Sequence, residues 1–269
     1  MEKMTVTEMM RARHSVRDYT GIPLTERQKD ALRAAIAAAK SPFGGTVDIH
    51  IVTAGDAGTF SPTTYGMIRG ARDFMLLGIG PDRNSLLSAG YIAERAVLEA
   101  TAMGLGTCWM SGTFSKAEFN KAADFTAGAP LTVVIAMGVP AARKSFVARA
   151  AGFLAGSDGR KPYGDLFHNT DGTPYVDDGS PVAEALEMMR LAPSGVNSQP
   201  WRAVVTGDST VRFFAKAKKP TAFIDMGIGL SHFMLAAGAR GLDGTLAAEK
   251  PQPAAPAPDL EYIATFSPA

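Results

Sequence analysis

Residues 201–208, WRAVVTGD, repeat residues 49–56, IHIVTAGD, at an offset of 152, and the helix and turn before each copy align as well. At an offset of 137, SHFMLAAGARGLDGT (231–245) falls on ERAVLEATAMGLGT (94–107) with one residue inserted, and YIATFSP (262–268) resembles VVIAMGVP (133–140). Three matches in the same order are hard to obtain from unrelated helix-turn-strand units, and the period is too long for a solenoid. Such a chain is predicted to fold as two related halves packed about an internal pseudo-twofold axis.

Local signals place the elements within each half. Thr5 with Glu8, and Thr25 with Gln28, form capping-box patterns that open a short helix and an alanine-rich helix running to Lys40. IHIVTAG, DFMLLGIG and TVVIAMGV read as strands, the last of them buried. SLLSAGYIAERAVLEATAMG has helical apolar spacing and a stop at Gly104, with Glu94 and Arg95 reading as surface charges in its middle. GLGTCWMSG reads as a helix stop followed by a loop of small residues, and Ser115 with Glu118 caps the next helix. Ser180-Pro181 starts another, with proline in its first turn. Residues 151–180 are rich in Gly, Asp, Thr and Pro and read as a long connection, while KPQPAAPAPD reads as an extended spacer. The expected organisation is a first half over residues 1–150, a connecting segment over 151–180, and a second, shorter half over 181–269, the halves forming one unit.

Composition excludes several classes of function. Against 27 Lys and Arg stand 26 Asp and Glu, so no global charge favours nucleic acid or an anionic membrane. The single cysteine, Cys108, excludes an internal disulfide and fits a reducing compartment. The stretch MEKMTVTEMMRARHS lacks the apolar run of a signal peptide, and the longest clear apolar run, LTVVIAMGV, is short for a bilayer. A soluble, cytoplasmic protein is expected. His14, His50, His168, His232 and Cys108 form no HxxxH or CxxC spacing, so no metal is expected.

The halves differ where chemistry would lie. RHSVRDY (13–19) occurs only in the first half, and PSGVNSQPW (193–201) only in the second, where the first has SPFGGTVDI. Arg13, Ser15 and Arg17 alternate along an extended segment, which suits a phosphate through charge-assisted hydrogen bonds, although a solvated basic loop has the same pattern. Pro193, Ser194 and Gly195 form a tight turn, while Asn197 and Gln199 offer donors and acceptors together. That mixture fits a neutral polyhydroxy or heteroaromatic ligand, or equally an Asx-type turn capped by a core tryptophan. The small residues of GLGTCWMSG let backbone N–H groups approach a flat ligand, with Trp109 and Met110 read as core.

Together RHSVRDY, APSGVNSQPW, GLGTCWMSG, VVIAMGVP and GRKPYGDLF resemble the signatures of the FMN-dependent nitroreductase family. In that family two identical subunits interlock and each FMN lies between them. Here the early Pro-Ser turn is degraded and a good copy appears late, as in a less common branch in which one chain resembles a fused dimer. The resemblance implies an α+β, nitroreductase-like fold with a mainly antiparallel sheet flanked by helices, internally duplicated. It further implies that Arg13 and Arg160 meet the FMN phosphate with Ser15 nearby, and that Arg17 lies toward the N1/O2 edge of the ring. Backbone amides around Ser111 and Gly112 would approach N5 and O4. Pro193, Ser194, Gly195 and Asn197 would line the ring and ribityl chain, with Gln199 in the same turn, and His14 would contribute backbone or packing. The mirror site would be empty. NAD(P)H would deliver hydride to the flavin in a ping-pong cycle, passed on to a small organic acceptor such as a nitroaromatic or quinone. A monomeric pseudo-dimer or weak homo-oligomer is implied. Other activities on the same fold (reductive dehalogenation, flavin breakdown, dehydrogenation) and a non-enzymatic flavin or small-ligand binding protein remain open alternatives.

Overall fold

The computed structural model of the chain describes residues 4–55, 62–142, 159–250 and 252–269. Its first sheet is wholly antiparallel and is built from β1 (Val47–Thr53), β2 (Asp73–Ile79), β3 (Gly106–Met110) and β4 (Leu131–Gly138) in the order β1-β2-β4-β3. The second contains β5 (Phe167–Asn169), β6 (Trp201–Val205), β7 (Val211–Ala215), β8 (Gly244–Ala247) and β9 (Glu261–Pro268) in the order β5-β6-β7-β9-β8. Only β5 is parallel to its neighbour. Without β5 the two sheets have one topology, β1-β2-β4-β3 against β6-β7-β9-β8. The fold is α+β as expected, with its antiparallel pairing divided between two sheets.

The helices follow the same repeat. The first half has α1 (Val6–Ala12), α2 (Glu26–Ala38), α3 (Arg83–Ala102) and the one-turn α4 (Lys116–Phe119). A one-turn α5 (Tyr163–Leu166), α6 (Pro181–Leu191) and α7 (Thr221–Ala239) follow. Both expected capping boxes form, with Thr5 and Thr25 hydroxyls accepting from the N–H groups of Glu8 and Gln28 and those side chains accepting in return. At α6 the Ser180 hydroxyl accepts from Ala183 N–H, with Pro181 in the first turn. Ser115 stands at the start of α4 but makes no capping bond; Glu118 instead accepts from Thr63 N–H at 2.6 Å.

The halves meet through α3 and α7, and the contact is reciprocal. A Cβ added to Gly90 would lie 2.0 Å from the Ile224 carbonyl oxygen, and one added to Gly227 would lie 2.0 Å from that of Leu87. Gly90 and Gly227 are 137 residues apart, and so are Leu87 and Ile224. The same correspondence appears one turn on. Glu94 pairs with His232 and Arg95 with Ser231, the two pairs exchanging under the 137-residue offset. A twofold relation requires this self-complementary contact. Only glycine permits backbones this close, so these two positions set the distance between the halves.

Three sequence readings are corrected. GLGTCWMSG is not a loop: Gly106–Met110 is β3, because Thr107, Cys108, Trp109 and Met110 pair along β4. The connection 151–180 is not wholly irregular, since Phe167–Asn169 adds to β6 as an edge strand; the expected boundary at residue 150 lies outside the described residues. An apolar segment of membrane-spanning length does occur, in α7, but 72% of its apolar window is buried within the protein. A helix apolar all round is also what a core position between two other helices demands.

Candidate functional site

Arg13 closes α1, its N–H bonding to the Met9 carbonyl at 2.9 Å, and the chain then runs extended beside β3. Val16 N–H donates to the Thr107 carbonyl at 2.9 Å, and Ser15 bridges to Thr107 in parallel. Extended backbone alternates its side chains. Val16, Asp18 and Tyr19 are buried, while Arg13, Ser15 and Arg17 all lie close enough to Cys108 to act on its thiol. Burial pushes that thiol above its ordinary range despite these partners, so it stays neutral. His14 is exposed, with Nδ1 3.1 Å from the Ala12 carbonyl oxygen. Ser111 and Gly112 are exposed just beyond β3.

Arg13 is 8% exposed, its Nε is buried with no hydrogen-bond partner, and its guanidinium forms no hydrogen bond or ion pair among the described residues. Burial lowers its pKa, opposed first by the charge of Glu94, yet a guanidinium keeps its proton in any protein environment. A cation this deeply buried normally has its donors satisfied. Here the Nε donor is buried without a partner among the described residues.

Glu94 is not a surface charge. It is fully buried, its Oε1 2.9 Å from His232 Nε2 and its Oε2 accepting from Trp109 Nε1 at 3.1 Å. The signal was present in the sequence: Glu94 lies on the helical stripe of Leu87, Gly90 and Val97, which faces α7. Trp109 is half-buried with its ring against the core, as read, and its N–H serves Glu94. Met110 is core.

The amide turn is built at a conformational cost. Val196, Asn197 and Gln199 have φ of 47°, 53° and 47°. Left-handed backbone is uncommon for any residue with a Cβ and a true outlier for a β-branched one. At the 152-residue offset the first half has the same left-handed pair at Gly44 (72°) and Gly45 (85°), where it costs nothing. The second half thus keeps the turn but replaces both glycines with side chains, and strain of this kind is held in place by its surroundings.

Those surroundings are explicit. Ser194 Oγ accepts from Gln199 N–H at 3.0 Å, and Gln199 Nε2 donates to the Asn197 carbonyl and Oδ1 at 3.2 and 3.1 Å. Gln199 is 2% exposed and its Oε1 accepts from Lys161 N–H, so it braces the turn from inside instead of facing out of it. Arg160 Nη1 donates to Asn197 Oδ1 at 2.9 Å and Nη2 to the Leu191 carbonyl at 3.1 Å. Asn197 Nδ2 donates to the Gly159 carbonyl. Arg160, expected beside Arg13, is therefore joined to the amide turn. Arg13, Ser15 and Arg17 form one cluster; Arg160, Ser194, Gly195, Asn197 and Gln199 form another, next to Pro193. The two are linked through α1, which packs on α6 and α7, and through His232, whose Nδ1 lies 3.0 Å from the Met188 carbonyl oxygen on α6.

Asp225, unnoticed in the sequence, anchors the turn from α7. Its carboxylate accepts from Gly195 N–H at 3.0 and 3.1 Å and from Ser198 Oγ at 3.2 Å. Its counterpart in the first half is Ser88, which bonds Ser41 and the Gly44 carbonyl. Burial pushes the Asp225 pKa up to about 7 against those two donors. The folded chain then holds a proton that the unfolded chain has released between the ordinary 3.8 and about 7, so stability falls as pH rises through that window. Asp225→Asn keeps an acceptor for Gly195 and should abolish this loss. Melting curves of the two proteins from about pH 5 to 8 should diverge, the native protein falling relative to the variant by on the order of a few kcal/mol. Parallel curves would show that Asp225 ionises normally.

Over residues 5–237 the chain matches the profile of a family described as "Putative TM nitroreductase". A "putative nitroreductase" structure from Thermotoga maritima is 21% identical, superposes with a TM-score of 0.64, and the match covers 99% of this chain and 94% of that one. A nitroreductase with bound FMN from Bacteroides fragilis is 18% identical, covering 54% of this chain and 92% of its own, with a TM-score of 0.43. A second FMN complex, from Desulfovibrio desulfuricans, is 20% identical, covering 54% and 94%, with a TM-score of 0.41. No curated protein matches the chain.

Proposed function

The chain belongs to this nitroreductase family, and on that premise we propose that it is an FMN-dependent NAD(P)H oxidoreductase that passes electrons to a small organic acceptor such as a nitroaromatic or quinone. The observation that carries the reading is the Arg13 guanidinium, nine-tenths buried and without a hydrogen bond among the described residues. A phosphate monoester supplies what that group lacks, a compact anion with several acceptor oxygens. The residues fit FMN better than FAD, because the chain has no GxGxxG unit for a second phosphate.

Arg13 and Ser15 would hold the phosphate, and Arg17 the electron-rich edge of the ring. Backbone amides at Ser111 and Gly112, with Pro193, Ser194, Gly195 and Asn197, would hold the remainder. When bound, FMN supplies a two-electron store that accepts hydride from a nicotinamide and returns it to an acceptor. The protein's part is binding and electrostatics. Arg17 would stabilise negative charge at the electron-rich edge of the ring, and Arg160 with Gln199 holds Asn197 in its left-handed turn. The resemblance of T. maritima type supports the fold, and the complementary halves support one composite pocket within a single chain.

Heat release and chromatography of the cofactor should return FMN, at one per chain, and NADH or NADPH should bleach the yellow protein anaerobically. FAD, no flavin after reconstitution, or two flavins per chain overturns the cofactor assignment. Bound FMN that neither nicotinamide reduces overturns the oxidoreductase assignment and leaves a flavin-binding protein.

A further inference from the structure

Glu94 and His232 are both fully inaccessible to solvent, and each oxygen of the carboxylate and each nitrogen of the imidazole has a partner. The partners determine where the protons are. The Met188 carbonyl can only accept, so His232 Nδ1 carries a hydrogen. Nε2 and Glu94 Oε1 are 2.9 Å apart, and two lone pairs would repel at that distance, so a further proton lies between them. Whether it resides on nitrogen or oxygen, the pair as a whole is neutral.

This decides the charge state around Arg13. Glu94 is the first of the charges that act on the Arg13 guanidinium. A lone carboxylate there would compensate the cation and compete with any anion for it. With its own proton supplied by His232, the pair leaves the cluster of Arg13, Glu94, His232 and the neutral Cys108 with a net charge of +1.

The pseudo-twofold supplies an internal comparison. On the mirror side Arg95 Nε donates to Ser231 Oγ at 2.9 Å and Nη2 to Tyr91 Oη at 3.1 Å, with no carboxylate bonded to it among the described residues. A bond that merely joins α3 to α7 is therefore made without an acid and a base. Among the described residues the acid–base pair at this crossing stands on the side that carries Arg13.

We propose that His232 is a positioning residue for phosphate binding: by neutralising Glu94 it keeps the Arg13 guanidinium available to an anionic group of the ligand. The inference rests on the flavin reading above and takes the FMN phosphate as that group. Fluorescence titration with FMN and with riboflavin, which has the same ring but no phosphate, separates charge from packing. His232→Gln should weaken FMN binding at least about tenfold while changing riboflavin binding by less than about twofold. The double variant Glu94→Gln/His232→Gln, which has no carboxylate to compensate Arg13, should recover the FMN-over-riboflavin preference. An unchanged preference in His232→Gln, equal loss of both ligands, or no recovery in the double variant overturns the inference. A native protein that prefers FMN no more than riboflavin overturns the flavin reading as well. A measurement on the native protein does not depend on how the variants fold. Under the conditions of the titrations, nitrogen-15 and carboxyl carbon-13 shifts should show a proton shared between His232 Nε2 and Glu94 Oε1 in addition to the one on Nδ1. Neutral imidazole beside ionised Glu94 refutes it.

Discussion

Replacement of Gly90 by alanine is expected to destabilise the protein by about 3 kcal/mol or more, and to lower its melting temperature by roughly 8 °C or more. The new Cβ would lie 2.0 Å from the Ile224 carbonyl oxygen and 2.9 Å from both Ile224 C and Ile228 N, and all three atoms are backbone. No rotamer relieves such a clash, so α3 and α7 must separate. Separation opens the packing of both halves, because this crossing joins them. Gly227→Ala places the reciprocal clash on Leu87 and Tyr91 and should cost as much. Gly238→Ala is the control. It lies in the same α7 helix with nothing within 4 Å of the new Cβ, so alanine there should be neutral or stabilise by up to about 1 kcal/mol through helix propensity. Equal melting temperatures for Gly90→Ala and Gly238→Ala would falsify the close crossing.

Arg13→Met is expected to move affinity and stability in opposite directions. Removing a shielded, charge-assisted phosphate contact should cost about 1.5–3 kcal/mol, a loss of roughly ten- to a hundredfold in FMN affinity. In the absence of flavin the same change removes a buried cation that has no hydrogen bond among the described residues and substitutes an apolar side chain of similar length. The flavin-free variant should therefore melt at or above the native temperature, since burying an unpartnered charge is costly. Arg212→Ala is the comparison: Arg212 pairs with Glu249 at 3.1 Å, half-exposed on the second sheet, and its loss should leave FMN affinity as it was. Equal FMN affinities for the two variants place the phosphate elsewhere. A flavin-free Arg13→Met protein that melts well below the native one shows that Arg13 makes a stabilising contact of its own.

Much of the fold was legible because its signals are local. Thr5 with Glu8, Thr25 with Gln28 and Ser180-Pro181 marked helix starts, since a cap is satisfied within three residues of itself. DFMLLGI and LTVVIAMG are continuous apolar runs of strand length, and both are central strands. The errors arose where the deciding partner is far away in sequence. Thr107 to Met110 became a strand through pairing with β4, and Phe167 to Asn169 through pairing with β6. The apolar stripe of α3 carried the signal that Glu94 is buried, but the partner that satisfies its carboxylate, His232, is 138 residues away. Arg160 was expected at the phosphate by resemblance, and its bonds to Asn197 and Leu191, both distant in sequence, were not legible.

The repeat offsets of 137 and 152 show in the sequence itself which residues of the two halves correspond. They do so because each half uses the same local patterns of caps, apolar runs and turns. Correspondence carries no information about which member of a matched pair is chemically active. Gly44 and Val196 share a backbone conformation, and Arg95–Ser231 mirrors Glu94–His232. The tertiary structure decided that a buried Glu94–His232 pair lies beside the buried Arg13, where the mirror position has Arg95 and Ser231, and that Val196 and Asn197 hold a turn that the first half makes with glycines. The partners of these groups lie on elements more than a hundred residues apart, and no local pattern in the chain encodes such pairings.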